Sequence, residues 1–349
     1  MRLESMIALG ACLALLPPVG CGDHGRLEKD PTTSAGGGGA GMGGDPTTTT
    51  TTTGAGGVGG VIEPPGPTTL TVVNGVVDSD AVRLCFLAYP DPQAGALPWP
   101  GVEGLPFARG AVIDPIAPTV PSDGDVEIRV VGGDLSATGG QSCDTLSSSP
   151  PAGVSVVSVG VLPASVFAEE KSLLVATTGC VGGVGHTDAA EEAICGPGYS
   201  ESTPTAGLVA GFMSRLGDLD RVPMQFVHAS TGLTDTSAVR VRPGSDNSTA
   251  TIAVPTFSYG AIAPFPPFVG FSVGTLLDIT EAQIQLIPAN GVEPFSVTTF
   301  AQAFDESLLS TADVEDGHGL TFVGMGAAPS AGSGSWWHAF TFTAFASSP

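Results

Sequence analysis

The amino-acid sequence predicts an all-β protein with two tandem β-sandwich domains that follow a disordered N-terminal tether. Three observations support this fold class. The 349 residues include 50 glycines and 30 prolines, which is too many for a helical protein and typical of a loop-rich sandwich. Short β-branched runs alternate apolar and polar residues between turn residues. One such run occurs twice, about 155 residues apart, as expected for a repeat of whole domains.

The composition also narrows the classes of function. Hydrophobic residues make up 42% of the chain, which is ample for a folded core, and the formal net charge is −23. Because so acidic a surface cannot neutralise a run of phosphates, the sequence predicts no nucleic-acid partner. The same acidity disfavours electrostatic binding to anionic lipid headgroups. A solvated, self-repelling exterior accounts for the charge.

The N-terminus has the pattern of an export signal. The apolar run at residues 6–19 has the length of a signal-peptide core and is too short to span a bilayer. It leads into Gly20 and Cys21, which resemble the end of a lipobox, where the cysteine is lipidated and becomes the first mature residue. Cys12 also fits the motif by its letters, but too little apolar chain precedes it. We therefore predict a signal peptide over residues 1–20 and attachment to the membrane through a lipid on Cys21.

Residues 21–68 are predicted to be a disordered tether. They contain a run of glycines at 36–39 and a run of threonines at 47–53. Such a stretch buries too little apolar surface to offset the entropy of ordering itself. A glycine-rich coil of about 40 residues has an r.m.s. length of about 35 Å, which suits a domain held away from a membrane. The expected location is extracytoplasmic, in the outer membrane or on the cell surface of a Gram-negative bacterium.

Two segments of the chain match each other. One begins at Leu70 as LTVVNGVVDSDAVRLCFLAY and the other begins at Met224 as MQFVHASTGLTDTSAVRVRP. Their best-matched parts are residues 78–84 and 235–241, and both copies alternate apolar and polar residues around a turn, as a β-hairpin does. A repeat of this length suits two whole domains. We predict that the domains span residues 69–215 and 222–349.

The repeated segment resembles a bacterial extracytoplasmic β-sandwich family, the domain of unknown function 4397. Members open with a strand, then V-x-x-H-A-S-P-D-A-P and a second strand. Residues 227–230 match this motif in part, without the Pro-Asp that follows, and the first copy has Asn74 in place of the histidine and Arg83 in place of an acidic residue. The resemblance implies an immunoglobulin-like or related sandwich on the cell surface. It implies no known activity.

Candidate strands are short, β-branched and bounded by glycine, proline, asparagine or aspartate. In the first half they span residues 69–77, 81–89, 154–161, 173–178 and 208–213. In the second half they span residues 224–229, 238–241, 249–259, 283–287, 320–324 and 336–345. Helical periodicity occurs at residues 187–193 and 304–312. The proline-rich run at residues 90–121 is predicted to be a long surface loop.

Four cysteines remain once Cys12 and Cys21 are set aside. They are Cys85, Cys143, Cys180 and Cys195. An even number in an exported chain predicts disulfides, and zinc is disfavoured because no Cys-x-x-Cys pair is present.

Of the three possible connectivities, we favour Cys180–Cys195 together with Cys85–Cys143. The first closes a short glycine-rich loop that contains His186, and the chain-entropy model assigns it about 3 kcal/mol. Strand alternation places Cys85 on the face opposite its neighbours in the core. The second bond is therefore expected to pin a loop over the outer face of the sheet.

Residues 270–274 match the nucleophile-elbow pattern G-x-S-x-G, with Ser272 as the nucleophile. That motif needs a strand before the serine and a helix after it in a parallel sheet. Pro264, Pro266 and Pro267 precede the serine, and proline does not sit in a central strand. In a chain this rich in glycine, chance alone gives about 0.6 such matches. We predict no catalytic residue, and a secreted serine hydrolase using Ser272 is the alternative hypothesis.

Histidines and acidic clusters give weaker indications. His228 is expected to hydrogen bond the turn in the repeat, while His186 and His318 lie in glycine-rich loops. Acidic residues cluster at 123–127 and at 313–316. Neither cluster matches the calcium loop of an EF-hand, and turn formation is the favoured explanation. The sequence therefore predicts no metal and no cofactor.

Trp336 and Trp337 are the candidate partner-binding residues. Because adjacent strand residues point to opposite faces, we expect one ring in the core and the other on the surface. An exposed tryptophan can stack on a sugar or on a side chain of a partner. A strand edge that is covered by the tether or by the other domain is the alternative. The sequence thus predicts a non-catalytic structural or binding module on a flexible stalk, with a surface polysaccharide or a protein as its partner.

Overall fold

A computed structural model describes residues 64–349 except 168–169, 234–236, 245–248, 277–280, 290, 311–313, 315–317 and 348–349. The predicted signal peptide, Cys21 and most of the predicted tether lie outside these residues. All of the described residues belong to one compact unit. Within them, no helix has the length and apolar character that crossing a bilayer requires.

The first half, as far as the structure describes it, contains eight strands and two short α-helices. The strands are β1 (Thr69–Asn74), β2 (Ala81–Tyr89), β3 (Leu105–Pro106), β4 (Gly110–Ile113), β5 (Asp125–Gly133), β6 (Val154–Leu162), β7 (Ser172–Thr178) and β8 (Gly207–Met213). The helices are α1 (Cys143–Ser148) and α2 (Glu191–Cys195), with 3-10 turns at Leu135–Thr138 and Ala164–Val166. The strands form two sheets, in the orders β4-β1-β7-β8 and β3-β2-β5-β6.

The second half repeats this arrangement. Its strands are β9 (Arg221–His228), β10 (Ser237–Arg242), β11 (Thr251–Phe257), β12 (Ile262–Ser272), β13 (Gln283–Pro288), β14 (Ser296–Thr299), β15 (Leu320–Met325) and β16 (Thr341–Ala346). Its helices in the described part of the chain are α3 (Val273–Leu276) and α4 (Phe300–Ser307). The sheet orders are β12-β9-β15-β16 and β11-β10-β13-β14. Each position is therefore taken by the strand eight places later than in the first half.

The direction of strand pairing is also the same in both halves. In the first half β1 and β7 are parallel and the other named pairs are antiparallel. In the second half β9 and β15 are parallel and the other named pairs are antiparallel. One strand of each parallel pair, β1 or β9, lies in the segments that match in the sequence. Leu70 and Met224 occupy equivalent positions, because they pair with Leu173 of β7 and Leu320 of β15.

Each half buries a core between its two sheets, so the all-β sandwich prediction is confirmed. The first core is mainly aliphatic, with Leu70, Leu84, Ile128 and Val175 among its buried residues and Phe86 as its buried aromatic residue. The second core is aromatic, and its fully buried side chains include Phe226, Phe257, Phe300, Phe322 and Phe342. Such face-to-face burial of two antiparallel-rich sheets is the basis of a sandwich.

A third core joins the sheets that contain the parallel strands. Val73 and Ala176 of the first half pack in one cluster with Val227, Val323 and Met325 of the second half. The central strands of the sheets β4-β1-β7-β8 and β12-β9-β15-β16 are therefore buried on both faces, while β4, β8 and β12 are partly exposed. Strands buried on both faces read as continuous apolar runs instead of alternating ones, which explains why β1, β7 and β15 are buried at every residue.

The predicted strands mostly lie where the structure has them, with several corrections. The predicted strands did not include β3, β4, β5, β12 and β14, and the prediction of a surface loop over residues 90–121 is wrong where β3 and β4 pair into the sheets. The prediction of a strand at 336–345 is wrong at its start, because β16 begins at Thr341. The helix predicted at 304–312 instead spans Phe300–Ser307, since Thr299 and Gln302 form a capping box. The helix predicted at 187–193 is α2, Glu191–Cys195.

The predicted domains, 69–215 and 222–349, meet at the link between β8 and β9, although residue 222 is already the second residue of β9. β8 ends at Met213 and β9 begins at Arg221. The division into two domains stays a prediction, because both halves belong to one compact unit. The repeated strand order is what favours it.

Candidate functional site

Both disulfides of the favoured connectivity are present. Cys85 of β2 is bonded to Cys143 at the start of α1, and both lie in a small cluster with Leu87, Val131 and Leu146. This bond therefore holds α1 over the face of the sheet β3-β2-β5-β6 that points away from the core, as the alternation along β2 predicted. Cys180 is bonded to Cys195 and closes a loop with a sequence separation of 15 residues. Disulfides are typical of proteins outside the reducing cytosol.

The turn between β1 and β2 anchors the Cys180–Cys195 loop. The carboxylate of Asp78 is buried and accepts hydrogen bonds from the backbone N–H groups of Val181, at 2.9 Å, and Gly182, at 2.8 Å. His186 Nδ1 lies 3.1 Å from Asp78 Oδ2. A buried carboxylate needs such partners to compensate for the loss of water. Asp78 thus fixes the position of His186 at the surface.

Trp336 packs against this loop from the second half. Its ring stacks on His186, with ring centroids 5.0 Å apart and an interplanar angle of 6°. Trp337 meets Trp336 edge-on, at 4.9 Å, and Trp337 Nε1 donates to the Gly332 carbonyl at 3.1 Å. The expectation of one ring in the core and one on the surface was wrong. Both residues lie in the loop before β16, where strand alternation does not apply, and both are partly buried.

His338 attaches the same loop to the first half. Its ring stacks on Phe107, with centroids 4.2 Å apart, and its backbone N–H donates to the Val77 carbonyl at 3.0 Å. His338 Nε2 lies 3.3 Å from Asp80 Oδ1. Burial lowers the pKa of His338, and the nearby Asp80 carboxylate opposes this effect. The loop at residues 326–340 is therefore held by the contact of His338 with Asp80 and by the stacking of Trp336 on His186.

These groups surround a cavity of 520 Å³, which we call the tryptophan cleft. It is defined by Asp78, Asp80, His186, Trp336, Trp337 and His338. Ser333 and Ser335 also line it, and the Asp80 carboxylate is fully exposed. The cleft thus combines indole rings with imidazoles, hydroxyls and carboxylates. No lysine or arginine is among the described residues that line it.

Ser272 lacks the setting of a nucleophile elbow. It ends β12, which pairs antiparallel with β9 at the edge of its sheet. Its hydroxyl lies 2.6 Å from Thr275 Oγ1 and accepts the Thr275 backbone N–H at 3.3 Å. Such contacts are those of a residue that caps a helix start, here the start of α3. The arrangement gives no support to hydrolysis at this serine.

Of the two acidic clusters noted in the sequence, residues 313, 315 and 316 of the second lie outside the described part of the chain, and the first lies apart from the cleft. Asp125 accepts the Ala164 backbone N–H at 2.8 Å. Glu127 pairs with Arg129 at 2.7 Å, and this contact lowers the pKa of Glu127. No group of three potential metal ligands occurs in the described part of the chain.

The side chain of His228 hydrogen bonds the backbone of Leu233, which lies in the turn after β9, as the sequence predicted. The imidazole is buried, and its Nδ1 has no hydrogen-bond partner in the structure. The backbone of His228 contacts a second turn, between β11 and β12: its N–H donates to the Ala261 carbonyl and its carbonyl accepts the Gly260 N–H.

Sequence reasoning found the two tryptophans and missed what surrounds them. Asp78 lies in the repeated segment, but 108 residues separate it from His186. No local pattern reports a contact over that distance. The even cysteine count was the one available signal, since it placed His186 in a closed loop.

Comparisons with known proteins give little. No protein-family model and no curated protein matches the chain. One similar solved structure is CBMbc, a family CBM26 module of Eubacterium rectale Amy13K, in complex with maltoheptaose. The likeness has 12% sequence identity and a TM-score of 0.19, and it covers 80% of this chain and 98% of the other. A TM-score this low does not indicate that the two proteins share a fold or a ligand.

Proposed function

We propose that this protein is a non-catalytic binding module outside the cytoplasm, held to the membrane by a lipid on Cys21, and that its tryptophan cleft binds a neutral carbohydrate. The observation that carries the proposal is the meeting of two partly exposed indole rings with exposed polar groups in one cleft. Residues of the two halves supply these groups, so the cleft depends on the packing between them.

Carbohydrates match the chemistry of this cleft. The C–H face of a sugar ring packs on an indole, while its hydroxyl groups need hydrogen-bond donors and acceptors at the rim. Asp80, His338 and the serines at 333 and 335 supply such groups. The cleft contains carboxylates and no cationic side chain among its described residues. A negatively charged sugar would be repelled here, and a neutral one would not.

The proposal is tested by binding of the purified full chain to a panel of neutral and acidic oligosaccharides, followed by calorimetry on those that bind. Replacing Trp336 by alanine should weaken binding by about tenfold through the loss of stacking. Because Trp336 also packs on a structural cluster, Asp80→Asn serves as a second variant at a fully exposed site. Trp99→Phe, which lies outside the cleft, is the matched control. Equal affinities in all four proteins would contradict the proposal.

The lipid is tested separately. Mass spectrometry of the mature N-terminus should find an acylated cysteine at position 21. A free N-terminus at another residue would remove the anchor from the proposal and leave the cleft unaffected.

A further inference from the structure

A second cavity lies between the two halves, away from the tryptophan cleft. It has a volume of 450 Å³ and is lined by residues that include Thr205, His228, Thr231, Leu233, Phe257 and Tyr259. We call it the aromatic cavity. Cavities of this size, lined by apolar and aromatic side chains at the junction of two halves, are the usual form of small-molecule sites.

The equivalent residue in the first half, Asn74, differs from His228 in how its polar atoms are paired. Asn74 ends β1 as His228 ends β9, and each precedes the same turn in its half. Asn74 uses its whole side chain, because its Nδ2 donates to the Leu105 carbonyl at 2.9 Å and its Oδ1 accepts the Val76 N–H at 3.0 Å. The first half therefore fills this position with a fully paired polar group.

The imidazole of His228 is paired only in part, through a hydrogen bond with the backbone of Leu233. The residue is only 1% exposed, and its Nδ1 has no hydrogen-bond partner within the described structure. Its ring packs against Phe257, at 4.7 Å between centroids, and against Tyr259, at 6.0 Å. A buried polar atom left unpaired is costly and rare, so it needs an explanation such as a bound molecule.

Two threonine hydroxyls that line the aromatic cavity can act there only as acceptors. The hydroxyls of Thr205 and Thr231 both donate to the Cys195 carbonyl, at 2.7 Å and 2.9 Å. Because each hydroxyl proton is engaged in this hydrogen bond, the hydroxyl oxygen can act towards a ligand only as an acceptor. Burial lowers the pKa of His228 to about 4, so its ring is neutral at pH 7 and also offers an acceptor nitrogen. No charged side chain is among the described residues that line the cavity.

We propose that the aromatic cavity binds a small uncharged aromatic molecule with an N–H or O–H donor, of the class of indole and phenol, and that this donor pairs with the imidazole of His228. Phe257, Tyr259 and Leu233 supply the apolar walls that such a ring requires. An ionic ligand is disfavoured because the cavity holds no opposite charge to offset the loss of its hydration. This site is independent of carbohydrate binding in the tryptophan cleft.

The test uses the purified full chain with three probes: indole, toluene, which lacks a donor, and indole-3-carboxylate, which is charged. Calorimetry should show saturable binding of indole, weaker binding of toluene and no binding of the carboxylate. His228→Phe keeps a ring and removes the acceptor, so it should weaken indole binding by about tenfold and leave toluene binding unchanged.

A second measurement does not depend on the variant. In the unmodified protein, indole should shift the ¹⁵N NMR signals of the His228 imidazole. The absence of indole binding, equal indole affinity in the His228→Phe variant, or ¹⁵N signals that indole leaves unchanged would each overturn the proposal. Unchanged signals would show that the imidazole is paired with a trapped water instead.

Discussion

The two halves of this protein share one strand order and stabilise it by different means. The first half has a mainly aliphatic core and both disulfides. The second half has no disulfide in its described residues and packs five fully buried phenylalanines. The same pairing pattern is therefore compatible with two kinds of core. The two halves have the same strand pairings, and they differ in the side chains that fill the space between their sheets.

The two halves also share the backbone turn that follows the parallel strand β7 or β15. Gly179 follows β7 and Gly326 follows β15 at the equivalent position, and both have a left-handed φ, of 73° and 103°. A Cβ on Gly179 would lie 2.3 Å from the Thr205 carbonyl oxygen, and one on Gly326 would lie 2.3 Å from the Ala339 carbonyl oxygen. Both positions therefore require glycine for conformation and for space. The two tryptophans of the cleft, in contrast, lie in the loop between β15 and β16, outside the matched segments.

The largest expected effect concerns the cores. Val175 and Phe322 are equivalent, since they pair with Val72 of β1 and Phe226 of β9. Phe322→Ala should lower the free energy of unfolding by about 3–5 kcal/mol, because it removes a fully buried ring. Val175→Ala removes less apolar volume and should cost about 2 kcal/mol. Urea denaturation of both variants measures the difference, and equal costs would contradict the contrast between the cores.

The disulfides should come next. The Cys85–Cys143 bond spans 58 residues and the Cys180–Cys195 bond spans 15. In the chain-entropy model their loss costs about 4 and about 3 kcal/mol, since the longer loop restricts the unfolded chain more. Paired alanine variants measured by urea denaturation test this order. A larger cost for the shorter loop would show that its contacts with Asp78 and Trp336 outweigh chain entropy.

The fold could be read from the sequence where alternation or repetition was clear. β2 spans the residues predicted for it, and β9 contains the matched histidine. β5 was missed although Val126, Ile128 and Val130 alternate there with polar residues. β12 was missed because its prolines argue against a central strand. It is an edge strand whose pairing with β9 is interrupted between Ala263 and Phe268.

The candidate site was less accessible to sequence reasoning. Trp336 and Trp337 stood out by residue type, but the prediction of opposite faces required a strand that is absent there. The contacts of His338 with Asp80 and of His186 with Asp78 join distant parts of the chain. They depend on how the two halves pack, and no local pattern encodes that packing.

A smaller effect separates the equivalent residues Asn74 and His228. Burial lowers the pKa of His228 to about 4 from 6.5, so the unfolded chain binds a proton first as the pH falls. Stability should be unaffected above pH 6.5 and decrease by about 3 kcal/mol as the pH falls towards 4. The lowered pKa of His338 acts in the same direction.

The control for this effect is His228→Asn, which copies the first half and has no titratable group. Urea denaturation between pH 7 and pH 4 should show a smaller loss of stability for the variant. Carboxylates such as Glu127 affect both proteins equally, so the difference reports on His228. The same pH dependence in both proteins would contradict the burial argument.

Fluorescence can test the central claim, that the tryptophan cleft is where carbohydrate binds. The chain has three tryptophans, so in the Trp99→Phe variant the emission comes from Trp336 and Trp337 alone. Titration of this variant with a neutral oligosaccharide should change the emission in a saturable way, with the midpoint found by calorimetry. Binding seen by calorimetry without any change in emission, or no binding of any neutral carbohydrate, would contradict the account.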